Sequence, residues 1–586
     1  MLVAATFALG LGGADAAWRV QLLAPDALRT MIETHADLMR YRDETGLAAT
    51  EVRRLASTAP EQLRQLLATE GYFNPEIDVS VTDAADGVPD VRLEVRSGPR
   101  ARVNAVTWSI DGAIERTADA EARIRALRQG WSLPVGAYFT ESAWSEAKSS
   151  TLAELWRDRF PAARFARSEA RVDADQNTVS VTLVLDSGPL YRVGDIAVSG
   201  LVTLPRTAVL NLAPMTRGTP YAQQDLLRFQ DRLLASGLFD AAAVSIDTSG
   251  ASPDAASIQV QVRERLRHAM RLGAGYSTVV GPRLSGEYTD LRLFGSDWQG
   301  TFSGKLARDD RSFRVEVMSY PHPDLYRTIA SASLARIDVG GVQIVQQLAL
   351  AGRRRDGEAW SERHYAAVQR EQLTTPLGHD ISSAATANVE LRWSRVDDLV
   401  FPTRGYALSG AAALGVTGGP DARGRLFGRL NGRASWFTPL GDAWYGQARI
   451  ELGRVLARDT AGIPQTLLFR TGGVDSVRGY SYQSIGVPQG GSVPPVAVAP
   501  RPSFILGGSF LATASVEVAR EVRPNWFAAA FVDAGDAAAS LRQFRAAVGY
   551  GIGARWRSPI GPVRVDLSYG QEVRKLRLDF AVGVTF

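Results

Sequence analysis

From residue 544 to Phe586, apolar and polar side chains alternate with a period of two, run after run. Phe544, Ala546, Val548, Tyr550, Ile552, Ala554 and Trp556 share one face. Arg545, Ala547, Gly549, Gly551, Gly553, Arg555 and Arg557 share the other. Val563, Val565, Leu567 and Tyr569 then oppose Arg564, Asp566, Ser568 and Gly570. Leu578, Phe580, Val582, Val584 and Phe586 oppose Arg577, Asp579, Ala581, Gly583 and Thr585. A soluble sheet covers its apolar face with a second layer. Repeated runs with one apolar, aromatic-tipped face and one small or charged face instead predict a wall with lipid outside and a polar lumen inside. About sixteen such runs fit between His268 and Phe586, at ~20 residues per strand and connection. An even number closes a barrel with no free edge in lipid. The predicted fold is therefore a 16-stranded antiparallel transmembrane β-barrel over 266–586.

Composition supports a division of the chain. Of 55 glycines, 16 fall in residues 1–265 and 39 in the remaining 321. Cysteine is absent, which excludes a disulfide scaffold, thiolate metal ligands and cysteine catalysis. A formal charge of +4 is too mild over 586 residues to point to nucleic acid. No stretch reaches the ~18 apolar residues of a membrane-spanning helix. Leu2 to Leu11 is apolar, and Ala14-Asp15-Ala16 precedes Ala17 in an A-x-A cleavage pattern. Residues 1–17 thus read as a signal peptide, and the missing basic residues ahead of it lead us to expect a start further upstream.

Residues 18–265 read as three α+β units: 18–99, 100–189 and 190–265. Arg96-Ser97-Gly98-Pro99 recurs as Asp186-Ser187-Gly188-Pro189, 90 residues later. Each follows an alternating strand (Val91, Leu93, Val95; Val179, Val181, Leu183, Leu185), and Ile258, Val260 and Val262 end a third unit. Within the units, a helix ends in Gly71-Tyr72-Phe73 and again in Gly237-Leu238-Phe239; glycine suits the left-handed position after a helix. The second unit departs from this with Arg159-Phe160-Pro161. The predicted order per unit is β-α-α-β-β, with one long first helix over about Pro25–Leu47 in unit one.

This order, the Gly-aromatic step and the Ser-Gly-Pro joint resemble the polypeptide-transport-associated (POTRA) domain. The barrel half carries a more specific resemblance. Between Val455 and Ser509 no alternation is sustained, and Pro494-Pro495 and Pro500-Arg501-Pro502 argue against sheet there. This loop, 458–508, falls between strands eleven and twelve and holds Val477-Arg478-Gly479-Tyr480. Phe531-Val532-Asp533-Ala534-Gly535 follows in strand thirteen, and Phe401-Pro402-Thr403-Arg404-Gly405-Tyr406 precedes a middle strand. In this order, ahead of a terminal Phe586, the three resemble the motifs of the BamA/TamA-type outer-membrane assembly superfamily. Three POTRA units point to its TamA-type members. Phe580, Val582, Val584 and Phe586 resemble that superfamily's C-terminal β-signal.

Spacing alone reads Arg478 as an ordinary exposed loop arginine. The resemblance implies instead a loop folded into the lumen and locked there by Val477, Arg478, Gly479 and Tyr480 against Phe531, Asp533 and Gly535. A guanidinium fork and a carboxylate suit that role, and Gly479 permits close backbone approach. Mid-strand Gly273 and Gly275 in strand one, about His268–Val279, and Gly583 near the end mark an expected weak lateral seam. Arg425, Arg429 and Arg433 read as lumen charge paired with residues such as Glu451 and Glu517.

His35, His268, His322, His364 and His379 form no i, i+4 pair, and no nucleophile elbow or phosphate loop occurs, so we expect no enzyme activity, metal or cofactor. The resemblance implies an outer-membrane assembly factor of a Gram-negative bacterium, with its POTRA units in the periplasm. It would insert β-barrel or autotransporter-type clients. The implied partners are unfolded client proteins, outer-membrane lipid and a TamB-like, inner-membrane-anchored, periplasm-spanning protein. A two-partner secretion transporter of the same superfamily and a diffusion porin with a periplasmic appendage are the alternatives.

Overall fold

In each N-terminal repeat the last strand in sequence takes the centre of a three-stranded sheet. In the first repeat Pro89–Arg96 pairs parallel with Arg19–Leu23 and antiparallel with Glu76–Asp83. Val91, Leu93 and Val95 on this strand are buried, because both neighbours and the helices shield their face. The second repeat repeats the arrangement with Thr178–Asp186 between Arg102–Asp111 and Arg164–Asp173, the third with Ala256–Glu264 between Val193–Ser199 and Phe239–Ile246. The computed structural model describes residues 18–44, 47–83, 88–250, 252–277, 281–419, 422–489, 504–558 and 561–582; the signal segment 1–17 lies outside them. The chain divides into two compact units. One comprises 1–199, 214–231 and 243–261; the other comprises 200–213, 232–242 and 262–586.

The single long helix expected over Pro25–Leu47 is instead two short ones, Asp26–His35 and Asp37–Arg40. Ala36 takes an extended conformation between them (φ −76°, ψ 127°), and the Gln62 side chain accepts the Asp37 N–H at 3.1 Å. The stripe Leu28, Ile32 and Met39 is nonetheless buried, because the break keeps all three against the helix Ala49–Thr69. Gly71 and Gly237 both have positive φ, 86° and 74°, after their helices. Arg159 takes the same left-handed conformation at φ 69°, with Phe160 fully buried behind it, so the second repeat departs in residue type and not in shape. The two joints match as well. The Ala101 N–H donates to Gly71 O (2.8 Å) and the Phe139 N–H to Ala101 O (3.0 Å). One repeat later the Tyr191 N–H donates to Arg159 O and the Tyr221 N–H to Tyr191 O, both 3.0 Å.

The C-terminal region is a closed barrel of sixteen antiparallel strands in chain order, from His268–Ser277 to Lys575–Val582. The first strand is described over His268–Ser277, and its expected end near Val279 falls in 278–280, outside the described residues. The fourteenth, Ala547–Ser558, starts later than the alternation suggested: Leu541–Gln543 forms a 3₁₀ turn, and Phe544 packs edge-on against Phe510 at 5.5 Å. The segment between the eleventh strand, Trp444–Leu456, and the twelfth, Phe510–Arg523, is not free of sheet. Val487–Gln489 pairs with Phe504–Leu506, Pro488 included, in a two-stranded hairpin where one missing N–H donor is tolerated. Pro494, Pro495, Pro500 and Pro502 lie outside the described residues.

Burial in the barrel is inverted. Ile552 is 63% exposed and Leu272 75%, whereas Asp533 and Glu371 are fully buried. Such an exterior demands an apolar solvent, and such an interior must satisfy its own polar groups. A belt of Trp360, Trp393, Trp436, Trp526 and Trp556 lies at the strand ends on the side where the first strand begins, and amphipathic rings favour a membrane interface. Among the described residues no helix is long and apolar enough to cross a membrane.

Candidate functional site: a loop anchored in the barrel lumen

The segment 457–489 leaves the end of the eleventh strand away from the tryptophan belt and turns into the lumen. Val477, Arg478 and Tyr480 are buried at its tip. Arg478 grips the thirteenth strand, Trp526–Ala538, through Asp533. Its Nε donates to Oδ2 (2.6 Å), its Nη2 to Oδ1 (2.9 Å) and its backbone N–H to Oδ2 (3.0 Å). The twelfth strand contributes Glu517, whose Oε2 accepts from Arg478 Nη1 at 2.6 Å, and Ser515 Oγ at 3.4 Å from Nη2. The guanidinium carbon sits 3.4 Å from the centroid of the Phe531 ring. One cation thus meets two carboxylates and an aromatic face with almost no water, a setting in which charge-assisted bonds are strong and an unpaired partner is costly.

The second carboxylate is balanced from the wall. Arg555 of the fourteenth strand donates to Glu517 through Nε (3.1 Å) and Nη2 (2.8 Å), and to Asp566 of the fifteenth strand through Nη1 (2.6 Å). The network therefore runs from loop tip to fifteenth strand as alternating charges. Glycine makes the space. A Cβ on Gly549 would fall on the carbonyl oxygen of Arg478, and one on Gly551 would come within 2.8 Å of the Phe531 ring. Gly479 has φ 90°, and a Cβ there would stand 2.6 Å from the Gly570 nitrogen. Gly535 lies against the twelfth strand, 2.7 Å from Ala512 O by the same measure. Tyr480 closes the tip: its hydroxyl donates to Val548 O (3.2 Å) and accepts the Glu572 N–H (3.1 Å).

The loop is also held along its length. Arg425 pairs with Asp459 at 2.8 Å, Arg429 donates to Leu467 O at 3.0 Å, Arg433 donates to Asp475 O at 3.3 Å and Arg449 to Ser476 O at 3.1 Å. Arg433 lies 4.0 Å from Glu451, as expected of lumen charge, but Glu517 serves Arg478 and Arg555 instead of this row. On the seventh strand, Trp360–Thr375, Glu371 accepts the Gln465 N–H (2.8 Å), the Thr466 N–H (3.0 Å) and the Thr466 hydroxyl (2.9 Å). Sequence reasoning gave no role to Glu371, Ser515, Arg555 or Asp566. Their signal was lumen-side parity on alternating strands, where a charge needs a partner.

The turn holding Phe401-Pro402-Thr403-Arg404 is tied by Asp397, which accepts the N–H groups of Thr403 (2.9 Å) and Arg404 (3.0 Å). Phe401 packs on Tyr445 and Phe527 at the end of the barrel that carries the tryptophan belt. Gly273 and Gly275 stand mid-strand in the first strand. Its pairing with the sixteenth is seen among the described residues at Ser277 and Ala581. Phe580 and Val582 lie at the end of the sixteenth strand; Gly583, Val584 and Phe586 lie outside the described residues.

A closed sixteen-stranded wall, a loop anchored inside it and three β-α-α-β-β units ahead of it define a POTRA-bearing outer-membrane barrel. Residues 332–586 match the Omp85 superfamily domain, and residues 24–97 match the first POTRA domain of TamA. The chain thus carries an Omp85 superfamily domain behind a first POTRA domain of the TamA type, the make-up of the non-enzymatic outer-membrane protein assembly and translocation factors. It resides in the bacterial outer membrane with its POTRA domains in the periplasm. It is 23% identical over 90% of its length to the outer membrane protein assembly factor BamA of Neisseria meningitidis serogroup B, covering 72% of that protein. It is 22% identical over 88% of its length to the same-named factor of Nitratidesulfovibrio vulgaris, covering 66% of it. The fold is similar to the crystal structure of Haemophilus ducreyi BamA lacking POTRA domains 1–3, with a TM-score of 0.67 at 16% identity, over 83% of this chain and all of that one.

Proposed function

We propose that this protein receives unfolded β-barrel or autotransporter-type clients on its POTRA domains and helps them into the outer membrane, in concert with a TamB-like inner-membrane-anchored partner. One observation carries the reading: a TamA-type first POTRA domain stands on the same chain as an Omp85 barrel whose lumen loop is anchored through Arg478. The edge strands of the repeats offer unpaired backbone groups to an extended client. The anchored loop would keep the lumen closed while the seam between the first and sixteenth strands, around Gly273, Gly275 and Gly583, opens to template a client strand. An opened edge in lipid is costly until such a strand pairs with it.

A deletion strain should lose a subset of surface proteins, and this gene should restore them. The seam is tested separately. Cysteine pairs placed between 270–276 and 580–584 have no native thiol background. Oxidation should stop client assembly until a reductant is added. Full activity with the seam crosslinked would eliminate lateral opening. Steady conductance of the reconstituted barrel would favour a porin.

A further inference from the structure

The outward face of the barrel is aliphatic or aromatic over most of its circumference, but one sector of its extracellular half is cationic. The fourth strand, Asp310–Ser319, pairs with the fifth, Arg327–Val339, so that Arg311 stands directly opposite Arg336. Directly opposed residues share a face. Leu334, two positions below Arg336, pairs with Gln347 of the sixth strand, Val342–Asp356, and Gln347 pairs in turn with Arg370 of the seventh, Trp360–Thr375. The parity of this face is settled from the other side. Glu371 and Gln369 bond the lumen loop, and Ile337 and Leu373 pack with Phe504 of its hairpin, so Arg336 and Arg370 point outward.

Two features make this more than scattered surface charge. Like charges directly opposed on neighbouring strands repel, and the geometry is tolerated best when an anion lies between them. Arg336 has one carboxylate, Asp338, at 3.5 Å, while Arg311 and Arg370 have no ion-pair partner among the described residues. Height is the second feature. Arg370 lies ten positions along its strand from Trp360 of the periplasmic belt, about 25 Å at a tilt of roughly 40°. That equals the apolar thickness of such a barrel and puts the guanidinium groups at the outer-leaflet headgroups. At comparable heights elsewhere the outward face carries Leu414, Leu426, Tyr550 and Leu576, and Arg454 of the eleventh strand stands there singly, between Leu430 and Phe510, with no second arginine opposite it.

We infer that Arg311, Arg336 and Arg370, with the Gln347 amide between them, form a binding site for the phosphate group of an anionic outer-leaflet lipid. Guanidinium forks match phosphate oxygens in pairs, and apolar Leu334, Phe313 and Val368 below them receive the acyl chains. The site is separate from the lumen anchor and gives the barrel a fixed lipid contact on strands four to seven.

The test is native mass spectrometry of the full-length protein in nonionic detergent, titrated with a diphosphorylated lipid-A-type glycolipid, the same lipid with its phosphates removed, and inorganic phosphate. The phosphorylated lipid should bind about tenfold more tightly to the wild type than to R311Q/R336Q/R370Q, with the barrel still heat-modifiable on gels. The single variant R370Q, whose side chain is exposed, should show a smaller loss in the same direction and serves if the triple variant does not fold. Arg353→Gln, an outward arginine at the periplasmic end of the sixth strand, should bind as the wild type does. Undiminished binding by the R370Q and triple variants, equal binding of the dephosphorylated lipid, equal loss in Arg353→Gln, or competition by inorganic phosphate at the lipid's own concentration would each overturn the assignment.

Discussion

The repeats and the barrel use the same alternating pattern against opposite solvents. Val179, Val181, Leu183 and Leu185 in the second repeat are buried, and Ser180 and Thr182 between them are half-buried. In the barrel's fifteenth strand it is Asp566 and Ser568 that are buried, while Leu567 is exposed. The period is identical because both are strands. In the repeats the apolar face hides from water behind helices, and stability comes from a packed core. In the wall the apolar face is left to lipid, and specificity inside rests on charges that must find partners. The two regions should therefore fail differently. A repeat should weaken gradually as its core or joints are disturbed. The lumen should fail sharply when one ion is removed.

The largest effect is expected at the anchor. Arg478→Ala leaves Asp533 buried without its cation and should cost about 3–5 kcal/mol of loop anchoring. Client assembly should be abolished while the barrel remains inserted. Asp533→Ala should do the same, and the double variant should be little worse than the worse single. Strictly additive losses in a complementation assay would break the pair apart.

Next comes a change that alters no charge. Gly549→Ala places a methyl group on the Arg478 carbonyl and should release the loop tip, seen as new protease cleavage within 470–489. Gly304→Ala, in a wall position where a Cβ meets nothing within 4 Å, should be silent. Equal behaviour of the two would mean that glycine serves the wall only as a small residue.

In the repeats, Gly71→Ala introduces a side chain at φ 86° against the Phe139 carbonyl. It should loosen the first joint by about 1–3 kcal/mol and speed proteolysis between the first two repeats. Arg159→Gly, at the same step of the second joint, should leave the backbone joint intact and cost only the side-chain contacts to Asp119 and Asp158.

The smallest effect concerns pH. Burial alone would raise the Glu264 carboxyl, but donors from Leu204 N–H, the Thr203 hydroxyl and the N–H groups of Val202 and Thr203 outweigh it and hold it below its usual value. A depressed carboxyl stabilises above the ordinary carboxylate range, and that contribution is lost as pH falls through the folded value. Because the group is largely solvated, Glu264→Gln should cost no more than about 1 kcal/mol at neutral pH. Hydrogen exchange at 202–204 should lose its acid-side pH dependence in the variant; an unchanged profile would remove Glu264 as its cause.

Alternation alone determined that residues after 266 form a lipid-facing wall, and the recurring Ser-Gly-Pro and Gly-aromatic steps determined the three modules. These are local properties, written into neighbouring residues by the geometry of strands and helix ends. Arg159 shows the margin of such reading: its place at a glycine step looked degenerate, yet the surrounding backbone imposed the same left-handed turn. The partners of a charge are another matter. The resemblance implied Arg478 with Asp533, but Glu517, Arg555, Asp566 and Glu371 are drawn together from strands far apart in sequence by barrel closure and by the path of one loop across the lumen. A residue's face is a matter of parity and can be counted. Its partner depends on which wall stands opposite once the sheet has curved shut, and that only the tertiary structure decided.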